Sequence, residues 1–157
     1  MKAFVIIDVQ NGLMEKNLYE KEKFINNINK EIIERQKQND RIIFIQHNSK
    51  KLKCGTFDWE LFSKLQRSKD EIIIQKKHGD SFKDTKLKQI LTKNEITDVI
   101  ISGLVSHGCV YYTCKSGIEN GFNVKVLKNG HTNWLKNAKE KITEVNNNLI
   151  EIGVELV

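Results

Sequence analysis

Short runs of apolar, mostly β-branched residues alternate along this chain with longer amphipathic stretches. Residues 3–7 are continuously apolar and stop at Asp8, the form of a parallel strand buried on both faces. The segment from Asp8 to Gly12 then turns away. Over 20–38, Phe24, Ile25, Ile28, Ile32 and Ile33 recur at helical spacing, and Asn39-Asp40 closes the helix. A second buried strand follows over 41–46, so the opening reads β-α-β. Residues 48–67 are less regular: a lysine-rich loop carrying Cys54, Phe57 and Trp59, then an amphipathic turn at Leu61, Phe62 and Leu65. The third strand, 71–75, hands over to Lys76, and 81–85 lead into a short helix ending near Leu91. A fourth strand over 98–102 is followed by a helix over 109–120 that Gly121 ends. The pattern closes with a strand over 122–127, a long helix over 133–152 and a sixth strand over 154–157. Such alternation predicts an α/β fold, a Rossmann-like three-layer α/β/α sandwich around an open parallel sheet.

A length of 157 residues with 39% hydrophobic content suits one domain spanning 1–157. No apolar run approaches the roughly 18 residues of a membrane span, and the N-terminus enters its first strand without a signal-peptide layout. A cytoplasmic protein with no membrane partner is therefore expected. Cys54, Cys109 and Cys114 are odd in number and lack C-x-x-C spacing, which indicates reduced thiols rather than a disulfide framework or zinc ribbon. The net charge of +6 comes from lysines scattered among 20 acidic residues, so no nucleic-acid partner is expected. Neither G-x-G-x-x-G nor a Walker loop occurs, and no cofactor is expected.

Chemistry concentrates where strands end, because ligands of open α/β sheets bind beyond the carboxyl ends of the strands. The stretch 98–113 reads as a strand, a turn broken by Gly103, and a helix that begins at Cys109. A helix N-terminus favours thiolate and brings a cysteine pKa below about 8.5, although a lone cysteine there also serves as a small buried hydrophobe. Asp8 ends the first strand and Lys76 the third. Each alone is an ordinary turn cap or solvated cation; together with Cys109 they offer a base, a cation and a nucleophile on one rim.

Three blocks, in this order, resemble the isochorismatase-like cysteine hydrolases: D-x-Q at Asp8 to Gln10, K-x-x-x-x-S-F-x-x-T-x-L from Lys76, and G-x-x-x-x-x-C-V-x-x-T from Gly103. G-F-N-V-K-V at Gly121 and G-H-T at Gly130 extend the likeness over nearly the whole chain. The resemblance implies strand order 3-2-1-4-5-6 and a Cys109-Asp8-Lys76 triad, with Lys76 preferred over Lys77 because of its spacing to Phe82. It also implies a non-proline cis peptide at Leu104-Val105 and an oxyanion hole made by the Val105 and Cys109 N–H groups.

The activity so implied is metal-independent hydrolysis of a small amide, ureide or carbamoyl substrate through a thioester. The alternatives are vinyl-ether hydrolysis of the isochorismatase type and a catalytically lapsed binding protein. Gln10 orients Asp8 or lines the pocket. Phe57 and Trp59 form an aromatic lid over a planar substrate or pack on the sheet edge, and His107 lines the pocket or satisfies backbone groups. Metal-dependent relatives carry a D-x-H cluster after the second strand; here that position reads Gln46-His47-Asn48-Ser49, which makes His47 a rim or core residue and predicts no metal. His131 is read as a structural contact, Cys114 as core and Cys54 as a variable-loop thiol. Asn129 stands where many relatives have Asp. A homo-oligomer is expected from the family habit.

Overall fold

The computed structural model describes residues 1–68 and 70–157. Its strands are β1 (Lys2–Ile7), β2 (Arg41–His47), β3 (Ile72–Lys76), β4 (Asp98–Leu104), β5 (Asn123–Thr132) and β6 (Glu155–Leu156). They form one six-stranded sheet in the order β3-β2-β1-β4-β5-β6, and all five pairings are parallel. The helices are α1 (Asn11–Met14), α2 (Lys21–Lys37), α3 (Leu87–Lys93), α4 (Tyr111–Glu119) and α5 (Ala138–Glu151). Among the described residues no helix is long and apolar enough to cross a membrane.

Two-residue periodicity divides β1 between two cores. Phe4 and Ile6 point to the face covered by α2, where Phe24, Ile25, Ile28 and Ile32 are buried. Ala3, Val5 and Ile7 point to the other face, covered by Leu87 and Leu91 of α3, Cys114 of α4, and Val145 and Leu149 of α5. A central strand sealed on both sides has no polar alternation, which is why the apolar run at 3–7 is continuous. Cys114 is wholly buried here, a core residue as its spacing suggested.

Four elements depart from the sequence pattern, one being α4, which starts at Tyr111 rather than at Cys109. Asn11–Met14 forms a helix too short to show periodicity. The fifth strand runs on to Thr132, because its polar end pairs Gly103 with His131 and Leu104 with Thr132 after a register irregularity. The long helix starts at Ala138 rather than 133.

Gly103 occupies a tight crossing between β4 and β1. Its φ is +120°, and an added Cβ would lie 2.1 Å from the Ile7 carbonyl oxygen and 2.6 Å from the Ile7 nitrogen. Backbone atoms of a central strand have nowhere to go. Gly103→Ala is therefore expected to cost well over about 1 kcal/mol, read in thermal unfolding as roughly 2–4 °C for each kcal/mol lost. An unchanged Tm would contradict this packing.

Candidate active site

Four polar side chains reach one mouth of the sheet because four strands end there. Asp8 directly follows β1 and adopts a left-handed backbone, φ 56°, a conformation that aspartate tolerates better than most residues. Its amide still bonds the Ile45 carbonyl at 3.0 Å, which fixes the residue to β2. His47 and Lys76 are paired in register at the ends of β2 and β3. Strand alternation turns Lys76 inward to 2% exposure, whereas Lys77 is exposed, which separates the two lysines.

Lys76 Nζ is the centre of the cluster. Its three N–H groups are shared among four acceptors: His47 Nδ1 at 2.7 Å, Asp8 Oδ2 at 3.0 Å, the His78 carbonyl at 3.0 Å and Cys109 Sγ at 3.3 Å. An ammonium has only donors, so His47 Nδ1 accepts and the ring is neutral with its proton on Nε2. Burial and the Lys76 charge both lower the His47 pKa, in keeping with that state. Asp8 Oδ1, by contrast, is buried without a hydrogen-bond partner among the described residues.

Cys109 lies in a π-type turn, Ser106–Val110, that precedes α4, and Gly108 within it is not helical. The Leu104-Val105 peptide before it is cis. The Val105 carbonyl accepts from the Gly108 amide at 3.1 Å and the Val110 amide at 3.3 Å. The expectation of a lowered thiol pKa is overturned. Burial pushes the Cys109 thiol up to about 12, with the Asp8 charge adding to the rise and Lys76 opposing it. Burial also raises the Asp8 carboxyl above its ordinary value, against the pull of Lys76. Burial thus draws both the thiol and the carboxyl toward their protonated forms, while Lys76, bonded to both, favours the charged ones.

An isochorismatase domain model matches residues 2–145. The chain belongs to the isochorismatase family. It is 30% identical over 132 residues to the isochorismatase family protein YrdC of Bacillus subtilis, covering 80% of this chain and 71% of that one. N-carbamoylsarcosine amidase of Arthrobacter sp. is 36% identical over 52 residues, 33% of this chain and 20% of the amidase. Across the curated relatives, the matched stretch spans from 20% to 82% of their own length. Among solved structures, pyrazinamidase of Pyrococcus horikoshii in complex with zinc superposes with a TM-score of 0.88 at 20% identity, over 99% of this chain and 98% of that one.

The other family-derived site residues are distributed unevenly. Gln10 does not bond the Asp8 side chain: its Nε2 donates to the His47 and Trp59 carbonyls at 3.1 and 2.9 Å, and its Oε1 accepts the His47 amide at 2.9 Å. It straps the 48–60 loop to β2. Trp59 is half-buried and gives its indole N–H to Asn48 Oδ1 at 2.6 Å, while Phe57 stands 65% exposed. His107 is exposed, and its charged neighbours are Lys141 and Glu144 of α5 rather than Asp8 or Lys76. Val105 is half-buried at the entry to the Cys109 turn.

His47 is the member that sequence reasoning undervalued. It stands half-buried on the rim, as read, but bonded to Lys76; its place at the end of β2, beside Lys76 at the end of β3, was the available signal. A carboxylate oxygen of Asp8, a ring nitrogen of His47 and Cys109 Sγ lie within 4.8 Å of one another, a donor set with zinc-like chemistry. The space among them belongs to Lys76 Nζ, whose charge repels a cation. The residues present do not fit a metal at this point.

Proposed function

We propose that this isochorismatase-family chain is a metal-independent cysteine hydrolase of small amide, ureide or carbamoyl compounds. The observation that carries the reading is the single Lys76 ammonium bonded to both Asp8 and Cys109, with the second Asp8 oxygen unpartnered among the described residues. The amidase and pyrazinamidase relatives support the substrate class. Vinyl-ether hydrolysis does not depend on a cysteine, so a thiol held in this cluster speaks against that alternative.

Each step follows from the groups present. As Sγ attacks the substrate carbonyl, the thiol proton passes to Asp8, and Lys76 holds the carboxyl and the sulfur in place. The amides of Val105 and Cys109 are the assigned donors to the oxyanion. When the tetrahedral adduct collapses, the Asp8 proton leaves with ammonia or amine. Asp8 then deprotonates a water that cleaves the thioester and regenerates the thiol. Because thiol and carboxyl share one mobile proton, their titration belongs to the pair.

Ammonia release from N-carbamoylsarcosine and pyrazinamide, measured for the parent and Cys109→Ala, tests the proposal. Release by the parent alone is the expected result; equal release by Cys109→Ala would end it. Exhaustive chelation is expected to leave turnover unchanged. Loss on chelation with recovery on added zinc would place a metal in the reaction and contradict the fit argued from Lys76.

A further inference from the structure

Resting on the cysteine-hydrolase reading, we infer that a buried Ser106-His131-Asn146 chain positions the turn that presents the oxyanion donors, making His131 a positioning residue for the reaction. Ser106 is wholly buried and follows Val105 directly, opening the turn whose fourth residue is Cys109. Its hydroxyl lies 2.8 Å from His131 Nδ1. The opposite ring nitrogen, Nε2, lies 2.8 Å from Asn146 Oδ1 on α5. A side-chain carbonyl oxygen only accepts, so Nε2 carries the ring proton and Nδ1 receives the Ser106 O–H. Burial keeps the His131 pKa low, which holds the ring in this neutral form.

The direction of this chain matters. His131 is anchored through its β5 pairing with Gly103, one residue ahead of the cis peptide. Asn146 anchors the far side of the ring to α5. The turn is therefore tied to two rigid elements through one hydroxyl, at the first of the three residues between the two amides assigned to the oxyanion. None of the three side chains hydrogen-bonds Asp8 or Lys76 among the described residues, so the chain bears on where the donors point and not on the ionisation of the thiol.

Two reagents separate these effects. p-Nitrophenyl acetate acylates a thiol through a tetrahedral oxyanion, whereas iodoacetamide alkylates it at a tetrahedral carbon with no oxyanion to hold. Both would be used in a Cys54→Ser background, because Cys54 is exposed. In Ser106→Ala, acylation of Cys109 is expected to fall about 10–100-fold, the effect of small misplacement, while alkylation keeps the parent rate. Ser106→Ala leaves His131 Nδ1 unpaired and costs stability, so Ser106→Ala/His131→Leu is made as well. Removing both partners of a buried hydrogen bond restores much of the stability. Slow acylation in this refolded double variant is expected. Parent-rate acylation there would overturn the positioning role. Ammonia release from N-carbamoylsarcosine or pyrazinamide by Cys109→Ala at the parent rate would instead overturn the cysteine-hydrolase reading on which the inference stands.

Discussion

Replacing Asp8 by Asn is expected to abolish hydrolysis and yet make Cys109 easier to alkylate. The two outcomes come from two roles of one carboxylate. As a base, Asp8 receives the thiol proton during attack, and loss of a positioned base costs about 10²–10⁴-fold in turnover. As a charge, it opposes ionisation of Cys109 and is, after burial, the largest influence raising that thiol towards about 12. Without it, Lys76 still favours thiolate. The rate of iodoacetamide alkylation, followed against pH at Cys109 by peptide mass spectrometry, should therefore shift to lower pH in Asp8→Asn. A shift to higher pH would contradict the reading that the Asp8 charge opposes ionisation of this thiol.

Removing the cation should have the opposite chemical effect and the larger structural one. Lys76 and Asp8 form an ion pair with side chains 0% and 3% exposed. Breaking one side of a buried pair costs roughly 3–5 kcal/mol, so Lys76→Met is expected to lower Tm by roughly 6–20 °C. The pH dependence has a definite sign. Asp8 already titrates above its unfolded value, so the folded state binds the extra proton and this group's contribution is most favourable in acid. Loss of Lys76 raises the folded value further. The destabilisation of Lys76→Met should thus be least below the ordinary carboxyl range and grow as pH rises through the raised value. Adding Asp8→Asn removes the stranded charge, and the double variant should recover stability without recovering turnover. A Lys76→Met protein as stable as the parent at neutral pH would contradict the buried pair.

Much of this architecture was legible in the chain because burial on both faces writes itself as uninterrupted apolar residues. The runs at 3–7 and 42–45 read as inner strands once helical spacing appeared between them. Lys128 to Thr132 was not legible as strand: its polar side chains serve the Ser106 contact, the Tyr19 carbonyl and the surface, and only the pairing with β4 makes it sheet. Asp8, Lys76 and Cys109 could be brought to one rim by the rule for parallel sheets, and that rule applied equally to His47. What sequence could not supply was desolvation. A helix N-terminus implies a low thiol pKa, but Cys109 lies in the turn before α4 and is buried beside a carboxyl group, which raises it. Nor does spacing reveal that Gln10 holds the 48–60 loop instead of Asp8.

The account turns on a covalent bond at one sulfur. Rapid acid quenching of the parent with N-carbamoylsarcosine or pyrazinamide, followed by peptide mass spectrometry, looks for that bond directly. An acyl or carbamoyl adduct on the Cys109 peptide, formed and lost in step with ammonia release, is the predicted result. Ammonia release with Cys109 unmodified at every time point, and undiminished in Cys109→Ala, would contradict it.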